Sequence, residues 1–383
     1  MRILIIGGGI MGASLAWWLT RGEKPPEVTV LERDLTLAKS STMLSAASIR
    51  QQFSTPENIR LSRFGWDFLM RAGETLGEDV SLRRRGYLVL AGPEGAEALR
   101  QNVAVQQAEG AATALLAPGE IAARFPWLSV EGIALGALGR DEGWFDPAAL
   151  HRGLMRGAKA RGAAWMEGEA VGIPVRAGRV QGVRLASGET LPAEVVVNAA
   201  GARAGEVAAM AGQHLPVRPD IRTVFHLTSP DANAIRDSGP LLVDPSGFWM
   251  RPEGQGFLAG MESAGQPEDP WSLPIDWPLF DESLWPLLAA RVPHFERLRV
   301  AGAWAGPYDW NDWDQNALLG ADPACPNLFH VAGFSGHGLQ QAPCIGRAMA
   351  ELILTGAWRA IELSAFEVTR IARGRRVVER RVI

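Results

Sequence analysis

Arg2-Ile3-Leu4-Ile5-Ile6-Gly7-Gly8-Gly9-Ile10-Met11-Gly12 decides the fold of this chain. A short, continuous apolar run such as Arg2–Ile6 reads as a buried parallel strand covered on both faces. Three glycines end it, and Ile10–Arg21 then reads as a helix with Leu15, Trp18 and Leu19 on one face. Pro25-Pro26 break the chain, and Val28–Leu31 reads as a second buried strand ending in Glu32. Strand, glycine turn, helix and strand within about thirty residues make a βαβ unit.

Each glycine in the turn has its own task. Gly7 permits the tight turn off the strand, Gly9 lets a pyrophosphate approach the backbone, and Gly12 lets the helix pack close to the strand. Ile10 and Met11 lie between them at the helix start. There the unpaired N–H groups and the positive end of the helix dipole favour phosphate. Glu32 follows Gly12 by twenty residues. Its carboxylate can accept from ribose hydroxyls and would repel a 2′-phosphate, which disfavours NADP. This unit alone does not separate FAD from NAD.

The far end of the chain does. Asn327–Ala332 reads as a buried strand, Gly333-Phe334-Ser335-Gly336-His337-Gly338 as a loop, and Leu339–Thr355 as a helix. A second glycine-rich loop at a helix start is a second anion site. It suits a cofactor whose other end gains negative charge, as the N1–C2=O edge of reduced flavin does. NAD has no such need, so the two loops together point to FAD.

Between them lie a polar stretch from Ser40 to Gln52, a helix over 56–76 and a strand over Gly86–Ala91. Helices are expected over Glu94–Glu109 and Pro118–Phe125, and from Asp146-Pro147 to Arg161. Strands are expected at Ala164–Glu167, Val180–Leu185 and Glu194–Asn198, with a hairpin turn at Ser187-Gly188. Arg222–Thr228 and Phe248–Arg251 suggest an antiparallel sheet carrying substrate contacts. The fold class is α/β, α+β overall. An FAD-binding Rossmann-like lobe is expected from residues 1–80, 141–215 and 325–383. An antiparallel-sheet substrate lobe, 81–140 and 216–324, is interleaved with it.

Composition narrows function. The 383 residues are 47% hydrophobic and 21% charged, which is globular rather than disordered. A net charge of −4 lacks the basic excess of a nucleic-acid binder. Lysine occurs only at 24, 39 and 159, so an active-site lysine must be one of these. Cys325 and Cys344 have no metal-ligand spacing, so no metal is expected; whether they pair is left open. No apolar run is long enough to span a membrane. No signal-peptide pattern precedes the first strand, and the chain is expected to be cytoplasmic.

With these residues in view, the chain resembles the D-amino-acid oxidase/sarcosine oxidase superfamily of FAD enzymes over nearly its whole length. The resemblance rests on Gly7–Gly12 with Glu32-Arg33, Gly143-x-x-Asp146-Pro147, Asn198-Ala199-Ala200-Gly201 and Gly333–Gly338. Two further stretches are Ser48–Ser54, and Asp314-Gln315-Asn316 with Gly338–Pro343. They are similar to a branch that includes an FAD-dependent oxidoreductase-domain protein linked to respiratory complex I assembly.

The resemblance implies oxidation of a C–N bond in an amino acid or N-substituted amino acid. Hydride passes to flavin N5 and leaves an imine. It implies that Gly7, Gly9, Gly12, Glu32 and Arg33 hold the ADP part, with Val171 giving a backbone contact to adenine. Ser41, Thr42, Ala46 and Ala47 wrap the ribityl chain and ring, and Ala200-Gly201 lies beside the pyrophosphate. Gly336, His337, Gly338 and Leu339 meet the pyrimidine edge.

Arg50 matches the arginine that clamps the substrate carboxylate. Gln340 stands where sarcosine oxidases carry a second, lysine grip, and His337 is a candidate to polarise flavin or substrate. Arg251, Tyr308, Trp249, Trp310, Asp309 and Asp314 are weaker site candidates. The oxygen-reducing lysine of the family is replaced by Leu258 or a neighbour. A dehydrogenase with another electron acceptor, including an acceptor protein, is therefore an alternative to an oxidase. The flavin-linking cysteine falls near Gly306 and the linking histidine is missing from Ser40–Ser45, so FAD is expected to be non-covalent. A different class remains in view, a flavoprotein scaffold or assembly factor with structural FAD. An NAD-linked dehydrogenase is disfavoured by the second glycine loop.

Overall fold

The structure is a computed structural model, and residues 1–380 are described; the last three residues of the segment assigned as 325–383 lie outside them. Six strands form one sheet in the order Leu318–Ala321, Leu328–Ala332, Val195–Asn198, Arg2–Ile6, Glu27–Glu32 and Ala164–Glu167. All neighbours are parallel except the first pair. Leu318–Ala321 thus joins this sheet although it precedes residue 325. The apolar run expected at Arg2–Ile6 is buried from both sides. Ile3 and Ile5 pack into a core with Leu15, Leu150 and Ile345, while Leu4 and Ile6 pack with Leu31, Val196 and Leu328.

Helices Ile10–Leu19, Pro147–Lys159 and Gly338–Thr355 build that first core. Asp146 caps the second of these, its Oδ1 accepting the Ala148 and Ala149 N–H groups at 2.8 and 3.0 Å. The helix expected over 56–76 is two helices, Pro56–Met70 and Ala72–Leu76. Arg71 leaves helical geometry between them, at φ −109° and ψ 14°.

The expected strand Val180–Leu185 also divides. Arg179–Val180 pairs with Val175–Arg176, whereas Gly182–Leu185 forms the expected hairpin with Thr190–Pro192. Gly182 sits at φ +149°.

The second sheet has eight strands, in the order Arg299–Asn311, Val217–Thr228, Gly256–Gly260, Trp249–Glu253, Leu241–Val243, Tyr87–Ala91, Leu135–Gly139 and Thr113–Leu116. Every pairing is antiparallel except Leu241–Val243 with Tyr87–Ala91. A separate apolar core, including Phe225, Phe248, Phe257 and Phe295, lies under it. Cys325 and Cys344 are both free and buried, in different cores. Burial pushes the Cys344 thiol up to about 12. Among the described residues, no helix is long and apolar enough to cross a membrane.

Candidate active site

Two neighbouring cavities share part of their lining. The narrower, about 170 Å³, lies against the first glycine turn. Gly7, Gly9, Ile10, Met11, Glu32 and Arg33 line it, as do Ser41, Thr42, Ala200 and Gly201. Gly336, Gly338 and Leu339 line it from the second glycine loop. Gly7 turns at φ +107°, and a Cβ there would lie 2.3 Å from the Ala199 carbonyl oxygen. Gly12 lies under the turn, where a Cβ would lie 2.0 Å from the Gly7 carbonyl oxygen.

Side chains lock the turn in place. Glu32 Oε2 accepts the Gly8 N–H at 2.7 Å, and its Oε1 accepts the Asp34 N–H at 3.0 Å. Thr42 Oγ1 accepts the Ile10 N–H at 3.0 Å. Burial pushes the pKa of His151 down, so the ring is neutral and its Nε2–H donates to the Gly8 carbonyl at 2.7 Å. Sequence reasoning missed His151, which looks like any polar residue on a helix.

The larger cavity, about 1110 Å³, shares Ser41, Ser45, Pro307 and Tyr308 with the narrower one. Ala46, Arg50 and His337 line it, with Trp249 and Trp310. Arg50 follows the two-residue strand Ser48–Ile49, which pairs with Gly143–Trp144. Its guanidinium carbon lies 4.5 Å from the Phe53 ring centroid. Nη1 donates to the Gln52 carbonyl at 3.3 Å, and Nη2 contacts His337 Nε2 at 3.3 Å. Burial, and then the Arg50 charge, push His337 down to about 3. The imidazole is therefore neutral. A guanidinium can only donate, so Nε2 is the acceptor and Nδ1 carries the proton.

Gln340 lines neither cavity. It is 5% exposed, and its Oε1 accepts the Arg50 backbone N–H at 2.7 Å. The Gln340 amide oxygen is thus turned onto the neighbouring backbone. Arg251 is likewise engaged, donating to the Ala46 carbonyl at 2.9 and 3.1 Å and pairing with Glu253. Ala47 is buried beside it at φ +54°. Val171 lies on the strand Ala170–Gly172 of a separate three-stranded sheet, 41% exposed, and lines neither cavity.

Gly333 starts the second loop at φ +76°. That loop is pinned to Asp309, whose Oδ2 accepts the Phe334 N–H at 3.0 Å and whose carbonyl accepts the Ser335 N–H at 3.1 Å. Burial raises the Asp309 carboxyl to about 6.

Two more residues escaped the sequence. Glu142 is buried beneath Arg50 and accepts the Gln51 N–H at 2.6 Å and Gln52 Nε2–H at 2.7 Å. Burial raises it to about 7. Glu379, in the C-terminal tail, accepts from Ser54 N–H at 2.6 Å and Asn58 Nδ2–H at 2.7 Å, and lines the large cavity. Only the position of Glu142, directly before the Gly143-x-x-Asp146 motif, could have flagged it; Glu379 gave no signal.

Residues 2–352 match the family described as FAD dependent oxidoreductase, DAO. The chain belongs to that family. It is 40% identical over 419 residues to FAD-dependent oxidoreductase domain-containing protein 1 of Bos taurus, covering 98% of this chain and 86% of that protein. It is 26% identical over 390 residues to 4-methylaminobutanoate oxidase (formaldehyde-forming) of Paenarthrobacter nicotinovorans, covering 97% of this chain and 46% of that protein. The crystal structure of L-proline dehydrogenase from P. horikoshii superposes with a TM-score of 0.87 at 27% identity, covering 97% of this chain and 98% of that one.

This DAO protein is thus an FAD-dependent oxidoreductase, with FAD as its cofactor. Its residues fit that group. The narrow cavity has a glycine floor at a helix start and a carboxylate at the second strand's end, and it opens onto the larger cavity. At Gly306 a Cβ would lie 2.8 Å from Leu44 Cβ.

Proposed function

We propose that this flavoenzyme oxidises the C–N bond of an amino acid or an N-substituted, sarcosine-like amino acid, with Arg50 gripping the substrate carboxylate. The observation that carries this reading is the setting of Arg50. Its guanidinium lines the large cavity, where it meets a neutral imidazole, a carbonyl and the Phe53 ring above the Glu142 carboxyl. A guanidinium so placed can take a carboxylate through two parallel N–H donors. L-proline and 4-methylaminobutanoate, in the names of two relatives, are both amines that bear a carboxylate.

FAD, when bound, supplies the two-electron acceptor for the hydride. Gly7, Gly9, Ile10, Met11, Glu32 and Arg33 would hold its ADP half. Ser41, Thr42, Ala46, Ala200 and Gly201 would hold its middle, and Gly336, His337, Gly338 and Leu339 the ring's pyrimidine edge. Phe53 and His337 fix the Arg50 side chain from two sides, while Gln340 fixes its backbone. The neutral His337 leaves the carboxylate to Arg50. Both His337 and Gln340 are positioning residues in this scheme.

We further infer that electrons leave to an acceptor other than oxygen. None of the three lysines lines the large cavity. Leu258 is buried, and Met261 and Glu262, from just beyond the same strand, reach the cavity instead.

The test is anaerobic mixing of the FAD-loaded protein with N-methyl amino acids, L-proline and D-amino acids. Bleaching of the oxidised flavin is expected with at least one amine bearing a carboxylate, followed by slow re-oxidation in air and fast re-oxidation by an artificial dye. No bleaching across the panel would favour a scaffold flavoprotein, and rapid peroxide formation would make it an oxidase.

A further inference from the structure

Beyond strand Gly256–Gly260 the chain leaves the eight-stranded sheet and reaches the narrow cavity. Pro270–Ser272 forms a single 3-10 turn there, and the Asp269 carboxylate accepts the Trp271 N–H at 3.0 Å. Trp271 lines the narrow cavity together with Gly9 and Glu32. Three cations hold it. The Arg203 guanidinium carbon lies 3.5 Å from the indole centroid, and that of Arg33 lies 5.9 Å away. Lys39 Nζ donates to the Trp271 carbonyl at 3.4 Å.

Each of these cations also lines the cavity. A guanidinium this close to an indole is attracted by the negative face of the ring. Arg203 is anchored on its other side by Glu206 at 2.6 Å, yet its Nε is buried without a partner. A segment that follows a strand of the second sheet thus lines the same cavity as Glu32, where the ribose would lie.

We propose that Trp271, held by Arg203, Arg33 and Lys39, is a lid over the ADP half of FAD that sets how slowly the cofactor leaves. The cavity floor supplies backbone dipoles; the lid adds the Arg33 and Lys39 cations, the Glu206-paired Arg203 and an aromatic cover. The inference concerns the family's FAD and is independent of the substrate proposed above.

The test uses the full chain and reads cofactor release rather than turnover. FAD-loaded wild type, Trp271→Ala and Arg203→Gln are diluted and the recovery of free flavin fluorescence is followed. Each variant is expected to release FAD about tenfold faster, the scale of one partly desolvated cation–π contact. ADP, titrated alone by calorimetry, should also bind the variant apoproteins about tenfold more weakly. Far-UV dichroism and thermal melting of the apoproteins check that the fold is kept. Release within twofold of wild type from folded variants would overturn the proposal. So would faster FAD release with unchanged ADP affinity, which would move the effect away from the ADP half.

Discussion

Removing Asp314 should unseat the C-terminal tail from the large cavity and cost a large share of the protein's stability. Asp314 and Arg370 are a buried pair, their side chains 0% and 4% exposed. Asp314 accepts from Arg370 Nη2 at 2.8 Å and Nε at 3.0 Å, and also from Asn311 Nδ2 at 2.8 Å and Val377 N at 2.9 Å. Arg370 donates further to the carbonyls of Ala317 at 2.8 Å and Phe366 at 2.7 Å.

Asp314→Ala strands a guanidinium that cannot deprotonate, and the cost of breaking such a pair is about 3–5 kcal/mol. Against a total stability on the order of 5–15 kcal/mol this is severe. Arg370→Ala should cost a similar amount, but the double variant far less than the sum, because neither charge is then left alone. The assay is urea unfolding at saturating FAD, followed by tryptophan fluorescence. A coupling of at least about 2 kcal/mol is expected. Function separates the two single variants. Only Asp314→Ala removes the acceptor of the Val377 N–H, two residues before Glu379, so it should raise the substrate KM more than Arg370→Ala does. A coupling below about 0.5 kcal/mol, the scatter of independent sites, would refute the reasoning.

Three further outcomes are expected. Arg50→Ala should slow flavin reduction by about a hundredfold at fixed substrate, the worth of a charge-assisted bidentate contact, with FAD content unchanged; equal reduction rates in anaerobic stopped flow would remove the clamp. Glu142 is raised from 4.5 to about 7 by burial, so the folded protein holds a proton there that the unfolded chain has lost. Stability should therefore fall as pH rises between these values and level off above them, and Glu142→Gln should flatten that slope; superimposable wild-type and variant profiles would contradict it. Gly306→Cys should not tether flavin, because its Cβ would meet Leu44 at 2.8 Å; it should instead lose about 1–3 kcal/mol of stability, and a yellow acid precipitate would show the opposite.

The parts of this molecule that the sequence exposes are those where backbone geometry restricts the residue type. Ile3–Ile6 is apolar throughout because both its faces are covered, and Gly7 and Gly12 are glycine because carbonyl oxygens occupy their Cβ positions. The strand Arg299–Asn311 was invisible for the converse reason. It contains Gly302, Gly306 and Pro307, which read as breakers, yet it pairs along its length with Val217–Thr228. It lies at the edge of its sheet, where a proline costs no ladder bond.

The tail failed differently. The partners of Glu379, namely Ser54 and Asn58, lie more than three hundred residues away. No local pattern can announce such a contact.

The charge balance around Arg50 narrows what the site can recognise. Arg222 reaches the same cavity but is paired with Asp220 at 2.7 Å and Glu262 at 3.0 Å. Arg251 is paired with Glu253 and holds the Ala46 carbonyl. His337 is neutral, and Gln340 gives its carbonyl to the Arg50 backbone. A second full charge beside Arg50, as a lysine at 340 would supply, would repel the guanidinium and leave the Arg50 N–H without its acceptor. The proposed grip thus works with one positive charge, held by His337, the Gln52 carbonyl and the Phe53 ring, with the Glu142 carboxyl beneath it and Glu379 in the same cavity. Such a grip suits a single carboxylate, and discrimination among amines then falls to the aromatic wall of Phe53, Trp249, Tyr308 and Trp310, acting through shape rather than charge.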